Sequence, residues 1–530
     1  MNITLSNLLF NFNLIVIRVV NILNYLFVKK ELLSKTILIN TQYFQRNSII
    51  EAIFGNYLKH NGKKVYGLVC AGYKYCEMHK MNSEIPNCNA CRQKTFKLLD
   101  AAKIEAIDLE DFKNISEDLN NKKFNFKSLK NSKHSETEFP LGETAYWNWL
   151  HYSNGDILPE DNKENNNTLK NIYETTCGSH DSINAVIKKY KPDFMVTCHG
   201  KFAQTRPAFF LREIHNYDCL TWENFAMDSS FVWLKNALAM DQNINKYWPT
   251  ISNSKLSKID YKKVDKYFED QKTGVNQKWT FLDKITMVDK NDIYEKTNLN
   301  KDKPIISIFP PIAWDSTGCS HTLEDLNFFE VINFLVNKCI EYKNVQFVVR
   351  SHPAELNVPD YLRSSRSIVD TLIKVNKEIP SNVFFLHADS EISSHALSAI
   401  SNEVIFFSST LGLEVLNSKR KVNCIGVQAY YSQKGFTNDI LTKKQLLDLF
   451  ENLEKLSLSK DSNYKYECID DRQLKYVKTL TFYIRFKLHS FIGILKRGIL
   501  LLTLFRYISY LQYMKNLSDY LLGKRLPFDL

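Results

Sequence analysis

Val345-Gln346-Phe347-Val348-Val349-Arg350-Ser351-His352-Pro353 and Val404-Ile405-Phe406-Phe407-Ser408-Ser409-Thr410-Leu411-Gly412-Leu413-Glu414 decide the reading of this chain. Each opens on an apolar run of the kind that fills a buried parallel strand. In open α/β sheets, ligands bind outside the carboxyl ends of the strands. One strand therefore delivers Arg350 and His352 to that edge. The other delivers Ser408, Ser409 and Thr410, with Gly412, at a helix start. Guanidinium, imidazole, hydroxyls and helix-terminal amides together suit a phosphorylated ligand. Glu414, one turn into the helix, suits a pair of ribose hydroxyls. The combination reads as a site for a nucleotide-linked sugar. Each motif alone has a plainer reading: His-Pro punctuates loops, and Ser-Ser-Thr before a helix is a common N-cap. The weight comes from both falling at equivalent strand ends of one βαβ series.

Upstream stand Ile305-Ile306-Ser307-Ile308-Phe309 and Trp314-Asp315, and downstream the loop Tyr430-Tyr431-Ser432-Gln433-Lys434-Gly435-Phe436-Thr437. With these, the pattern resembles the C-terminal half of bacterial capsule and surface-polysaccharide glycosyltransferases of the GT-B fold. The resemblance covers residues 300–450 well and 36–230 more loosely. It implies an α/β chain of two Rossmann-like domains facing a cleft. It also implies that His352, Ser408, Ser409 and Thr410 hold the phosphate of a nucleotide-sugar donor, with CMP-, UDP- and GDP-linked donors all in view. The acceptor would be a growing polysaccharide or a lipid-linked sugar. Two GT-B relatives in kind, a teichoic-acid-type glycerophosphotransferase and a UDP-sugar epimerase, compete with this reading. The first typically carries Asp-Tyr where this chain has Phe406-Phe407; the second would leave the basic tail unexplained. A non-catalytic scaffold of an assembly complex is a third alternative.

A length of 530 residues allows two α/β domains with appendages. Eleven cysteines without dense disulfide spacing suit a reducing cytosol. The net charge is +11, and +10 of it falls between Arg472 and Arg525, where eleven Lys/Arg face one acid, Asp519. No nucleic-acid reading element accompanies this charge. The same tail is aromatic, with Phe482, Phe486, Phe505, Tyr507 and Tyr510 among its residues. That mixture suits an anionic membrane surface, or a helix pair packed back on the protein. Leu8–Val28 is apolar but carries Asn11, Arg18, Asn21 and Asn24, which a spanning helix would not readily bury. An amphipathic helix, interfacial or docked, is expected. The resulting placement is peripheral, on the cytoplasmic face of the cell membrane.

The expected organisation is an N-terminal helix over 1–34, an acceptor domain over 35–295, a donor domain over 303–455 and a helical tail over 470–530. Thr36–Asn40, Ser48–Asn61 and Lys64–Cys70 open the acceptor domain as a βαβ unit. Lys113–Glu138 and Asp156–Leu169 are polar and read as mobile insertions. A helix is expected over Ser182–Tyr190.

Glycosyl transfer needs a stabilised leaving phosphate and a base for the acceptor hydroxyl. No strand-end Asp-x-Asp is present, so no metal cofactor is expected for catalysis. Arg350, His352 and Lys434 are the candidate cations. His199, ending a strand before Gly200, is the candidate base, with Glu223 and Asp315 behind it and Glu143 weaker. Cys70, Cys76, Cys88 and Cys91 form a C-x5-C-x11-C-x2-C series with His79 nearby. They leave three readings open: a structural zinc, buried thiols, or an iron–sulfur or redox site.

Overall fold

The computed structural model describes residues 3–31, 35–41, 48–76, 87–113, 131–160, 162–224, 230–273, 290–315, 322–324, 326–358, 360–426, 429–458, 466–487, 489–491 and 504–527. Most of the first polar insertion (114–130), His79, and the tail between residues 492 and 503 lie outside these. The chain divides into two compact units. The first holds residues 1–152, 159–240 and 487–530, and the second holds 153–158 and 241–486.

In the first unit β1 (Thr36–Ile39), β2 (Lys64–Val69), β3 (Glu105–Asp108), β4 (Phe194–Cys198) and β5 (Asp218–Asn224) run parallel, and β6 (Ser230–Lys235) pairs antiparallel with β5. In the second, β7 (Ile305–Phe309), β8 (Gln346–Arg350), β9 (Val383–Leu386), β10 (Glu403–Phe406), β11 (Val422–Ile425) and β12 (Thr437–Ile440) form an all-parallel sheet ordered β9-β8-β7-β10-β11-β12. Its central strands are buried along their whole length, which is why they read as unbroken apolar runs. Strand order reverses at β7/β10 here and at β1/β4 in the first sheet. In doubly wound folds such a switch point opens the ligand crevice.

The tail does not form a body of its own. Helix α10 (Asp471–Phe482; numbering as given below) belongs to the second unit, while β13 (His489–Phe491) pairs antiparallel with β6, giving the first sheet the order β13-β6-β5-β4-β1-β2-β3. The helices that matter are α1 (Ile3–Phe27), α2 (Ser48–His60), α3 (Cys88–Ala101), α4 (Leu141–Tyr152), α5 (Lys163–Tyr190), α6 (Lys258–Thr273), α7 (Phe328–Lys338), α8 (Ser394–Ile400), α9 (Leu411–Asn417), α10 and α11 (Leu504–Leu521). Tyr510, Met514, Leu517, Tyr520 and Leu521 of α11 are buried in one core with Ile17 and Val20 of α1 and Phe54 and Leu58 of α2. Tyr520 Oη also accepts the Lys235 amide of β6 at 2.8 Å. Tyr510 and Tyr520, aromatic residues of a kind that suits a membrane surface, serve here as packing.

Helix α1 is docked as well. Its buried Asn24 donates to Asn56 Oδ1 at 2.7 Å and to Tyr510 Oη at 3.2 Å, and Asn56 donates to Asn21 Oδ1 at 2.8 Å. The Asn21 and Asn24 amides are thus paired within the protein. Beside the exposed Asn11 and Arg18, much of what points outward is apolar: Ile15 is 56%, Ile22 57% and Leu26 62% exposed. The window Phe10–Phe27 is long and apolar enough to cross a membrane, with mean hydropathy 1.4, yet a third of it is buried in the protein.

Two further expectations change. Asp156–Leu169 is not one polar insertion: α5 begins at Lys163, capped by Asn162 Oδ1 on the Asn165 amide, and runs 28 residues. Leu169, Ile172, Tyr173, His180, Ile183 and Ile187 form its buried stripe, and the Asn-rich start conceals that period. The second unit also begins near residue 241, well before 303. Trp248 explains this, because its ring packs edge-on against Phe436 and Tyr476 of that unit, with centroids 6.2 and 5.9 Å away.

Candidate functional site

At the β7/β10 switch point a pocket opens between Phe309-Pro310, Arg350, His352, Ser409-Thr410 and Glu414, with Ser394, His395 and Gln271 completing its wall. Arg350 ends β8 and is buried. Its Nη1 donates to the carbonyls of Ser351 at 2.7 Å and His387 at 2.5 Å, while its Nε has no hydrogen-bond partner among the described residues. Burial lowers its pKa to about 10, opposed by Glu355 and Asp389, so the guanidinium stays charged. A buried, charged donor with an unused N–H is a demand for an anion or water.

His352 differs from its expected role as a cation. Its Nδ1 accepts the Ala354 amide at 3.1 Å, so in the neutral ring the proton sits on Nε2. Burial pushes its pKa down to about 4, against the pull of Asp315 and with that of Arg350. The ring is a neutral donor with a fixed tautomer. Asp315 accordingly stands beside His352 in the second unit, as its electrostatic partner.

The hydroxyl motif is partly structural. Ser409 Oγ accepts the Leu411 amide at 3.3 Å, and Thr410 makes no side-chain cap. Both line the pocket; Ser408 does not. Gly412 serves packing: a Cβ there would lie 2.5 Å from Tyr431 Oη, the group that donates to the Ser409 carbonyl at 3.1 Å. Glu414 is buried, with Oε2 2.9 Å from His395 Nε2. Arg485, beyond α10, donates to Tyr430 Oη at 2.9 Å and lies over the Tyr267 and Tyr430 rings. These tail and linker residues therefore back the pocket. Lys434 does not line it. Its Nζ donates to Ser432 O at 3.0 Å and to Asn245 Oδ1, and burial lowers its pKa to about 7.

In the first unit His199 follows β4 with φ of 56°, left-handed and uncommon for a residue with a side chain. Gly200 follows, where a Cβ would meet Leu238 at 2.8 Å. The His199 imidazole meets the Glu223 carboxylate through Nδ1. Such a pairing places the ring's lone pair on Nε2, the arrangement of an oriented general base. Beneath it Glu51 is fully buried, accepts the Trp222 indole N–H at 2.7 Å, and is pushed by burial up to about 8. Glu143 is engaged by Arg206 at 3.1 Å.

Residues 77–86, with His79, which join the two halves of the cysteine series, lie outside the described residues. Among the described residues the side chains whose ligand atoms gather within 4.8 Å are His134, His180 and Asp181. Burial pushes the Cys70 thiol up to about 11.

His395, Gln271, Glu51 and Arg485 escape a reading of the sequence, since nothing local marks them. A His on a helix just before the second motif strand was the one available hint.

Residues 325–460, about a quarter of the chain, match the family described as capsule polysaccharide biosynthesis protein. This segment holds β8 to β12 and most of the pocket. No curated protein matches. Solved structures with some likeness include KpsC, a beta Kdo 2,4 transferase from Thermosulfurimonas dismutans, at 10% identity over 54% of this chain and 79% of that one, TM-score 0.33. A glycosyltransferase from Rickettsia africae shares 13% over 93% and 100%, TM-score 0.24. UDP-GlcNAc 2-epimerase from Neisseria meningitidis bound to UDP-GlcNAc shares 12% over 82% and 95%, TM-score 0.20. Likeness at this level carries no weight for function.

Proposed function

We propose that the chain is a glycosyltransferase of capsule polysaccharide synthesis that takes its sugar from a CMP-linked donor and passes it to a lipid-linked or polysaccharide acceptor. The carrying observation is the pocket's charge. Arg350 is the one permanent cation among the described residues lining it, and His352 is neutral. One guanidinium matches the single charge of the phosphodiester that links a sugar to a nucleoside monophosphate. When the bond from the anomeric carbon to the phosphate oxygen breaks, the electron pair settles on that oxygen. Arg350 and the His352 Nε2–H stabilise it there. Ser409 and Thr410 add neutral hydrogen bonds, and Glu414 with His395 receives ribose hydroxyls. The acceptor hydroxyl gives its proton to His199, held by Glu223. These protein groups take the part that a metal plays in Asp-x-Asp enzymes.

The outward residues Ile15, Ile22 and Leu26 of α1, followed by exposed Lys29 and Lys30, suit the surface of an anionic bilayer. We place the chain there as a peripheral protein on the cytoplasmic face.

Thermal shift with CMP, UDP and GDP tests the reading. A ligand at a hundred times its Kd raises stability by about 2.7 kcal/mol. CMP should stabilise the wild type and not Arg350→Ala. A response to UDP or GDP alone would move the donor to another nucleotide class. Silence with all three would favour a scaffold.

A further inference from the structure

One cluster in the first unit has no part in glycosyl transfer. Residues 131–140 close on themselves, with His134 N–H to Phe139 O and Glu138 N–H to His134 O both at 2.9 Å. This loop holds His134 against His180 and Asp181 of α5, with ring centroids of the two histidines 4.1 Å apart. Asp181 Oδ1 lies 2.9 Å from His180 Nδ1 and 3.3 Å from His134 Nε2. Consecutive residues on a helix diverge by roughly 100°, so the convergence of His180 and Asp181 is a specific arrangement.

The far nitrogens of the two rings meet a single atom. Thr137 Oγ1 is 2.8 Å from His180 Nε2 and 3.2 Å from His134 Nδ1. A hydroxyl oxygen has two lone pairs and can accept both N–H groups. With the protons there, His180 Nδ1 and His134 Nε2 are bare and face Asp181. Ligating histidines are supported in this way, through an oxygen acceptor on the other nitrogen. The separations of 2.9 and 3.3 Å sit near the ~3.3 Å edge of a tetrahedron with bonds of about 2.0–2.1 Å. The His180 side chain is wholly buried and that of Asp181 a quarter exposed, which leaves an approach from solvent.

We propose that His134, His180 and Asp181 bind a divalent cation, zinc by the character of two imidazoles and a carboxylate, and that it pins the 131–140 loop to α5. Water fills the fourth position. The rival is a hydrogen-bonded cluster in which Asp181 accepts both ring N–H groups. The Glu136 and Thr137 amides favour that tautomer for His134 but reach Nδ1 only at 3.3 and 3.4 Å, the outer limit of such bonds.

The test uses the full-length chain without an affinity tag, stripped with EDTA and titrated with Zn²⁺ alone. We expect one zinc per chain and a rise in melting temperature. Affinity should fall about tenfold or more in His134→Ala and Thr137→Val, and stay unchanged in Cys88→Ser/Cys91→Ser. X-ray absorption at the zinc edge should show light-atom ligands at about 2.0–2.1 Å rather than sulfur at ~2.3 Å. This spectrum decides the matter even if a variant fails to fold. No uptake, sulfur ligation, or affinity lost with the cysteines and kept in His134→Ala would overturn the site. Nucleotide binding by the second unit is a separate measurement, so either proposal can fail alone.

Discussion

His199 and His352 each follow a parallel strand at the carboxyl edge of its sheet, and they are chemically unlike. His352 turns Nδ1 to a backbone amide, and desolvation lowers its pKa to about 4. His199 turns Nδ1 to the Glu223 carboxylate. An amide donor fixes a ring that can only give a hydrogen bond from Nε2. A carboxylate fixes one that can take a proton there. The same residue at the same place in the same kind of sheet becomes donor or base through the partner of one nitrogen.

The largest effect should come from removing what supports only one of the two. Truncation after Lys487 deletes β13 and α11 from the first unit. Five core residues at about 1.5–3 kcal/mol each amount to as much as the ~5–15 kcal/mol that holds a domain together. Loss of cooperative unfolding of the first unit is expected by calorimetry. An unchanged trace would return the tail to a purely membrane role.

Next, His199→Ala should lower transfer by about 10²–10⁴-fold with CMP affinity intact, and Glu223→Gln should shift the pH profile of the rate. Near wild-type turnover in His199→Ala would leave the chain without its base.

Acid separates the histidines by stability. The folded-state pKa of His352 lies below its usual 6.5, so the unfolded chain binds its proton first as pH falls. Stability should therefore drop between about 6.5 and 4, by up to ~3 kcal/mol, and be level in pH above that window as far as this group goes. Glu51 works oppositely: with a pKa raised to about 8, it loses stability as pH climbs from about 4.5 to 8. Urea unfolding of His352→Gln and Glu51→Gln should each flatten its own limb. A His352→Gln curve parallel to wild type would mean that the ring titrates normally.

The smallest effects are in affinity. Arg350→Ala should weaken CMP by about 1.5–3 kcal/mol, and His352→Gln by only about 1, as befits a neutral hydrogen bond. Lys434→Met should leave CMP binding as it was. Equal losses at Arg350 and His352 would argue for a charged imidazole.

The second sheet was legible because buried parallel strands must be apolar throughout and the motifs sit directly at their ends. Arg350, His352, Ser409, Thr410 and Glu414, which the structure brings to one pocket, were singled out that way. Lys434 misled, since burial under Trp248 and Asn245 is set by residues about 190 positions earlier. Gly412 was read as a ligand contact, whereas Tyr431 explains it. His395 reaches the pocket, and Arg485 meets Tyr430 and Tyr267, through packing that no local period encodes. The tail was left between two readings for a different reason: basic and aromatic residues suit a bilayer and a helix interface equally well, and composition cannot tell which partner they meet.

The hydrogen bond from Asn24 to Tyr510 has a consequence for biosynthesis. A ribosome makes α1 first and α11 last, with the entire second unit between them. The nascent first sheet must wait, its edge strand and covering helix still untranslated, while residues 241–486 emerge and can fold as a unit. Through that interval the docking face of α1 lacks its partner from α11, so the unfinished chain presents more apolar surface to chaperones or lipid than the finished one does.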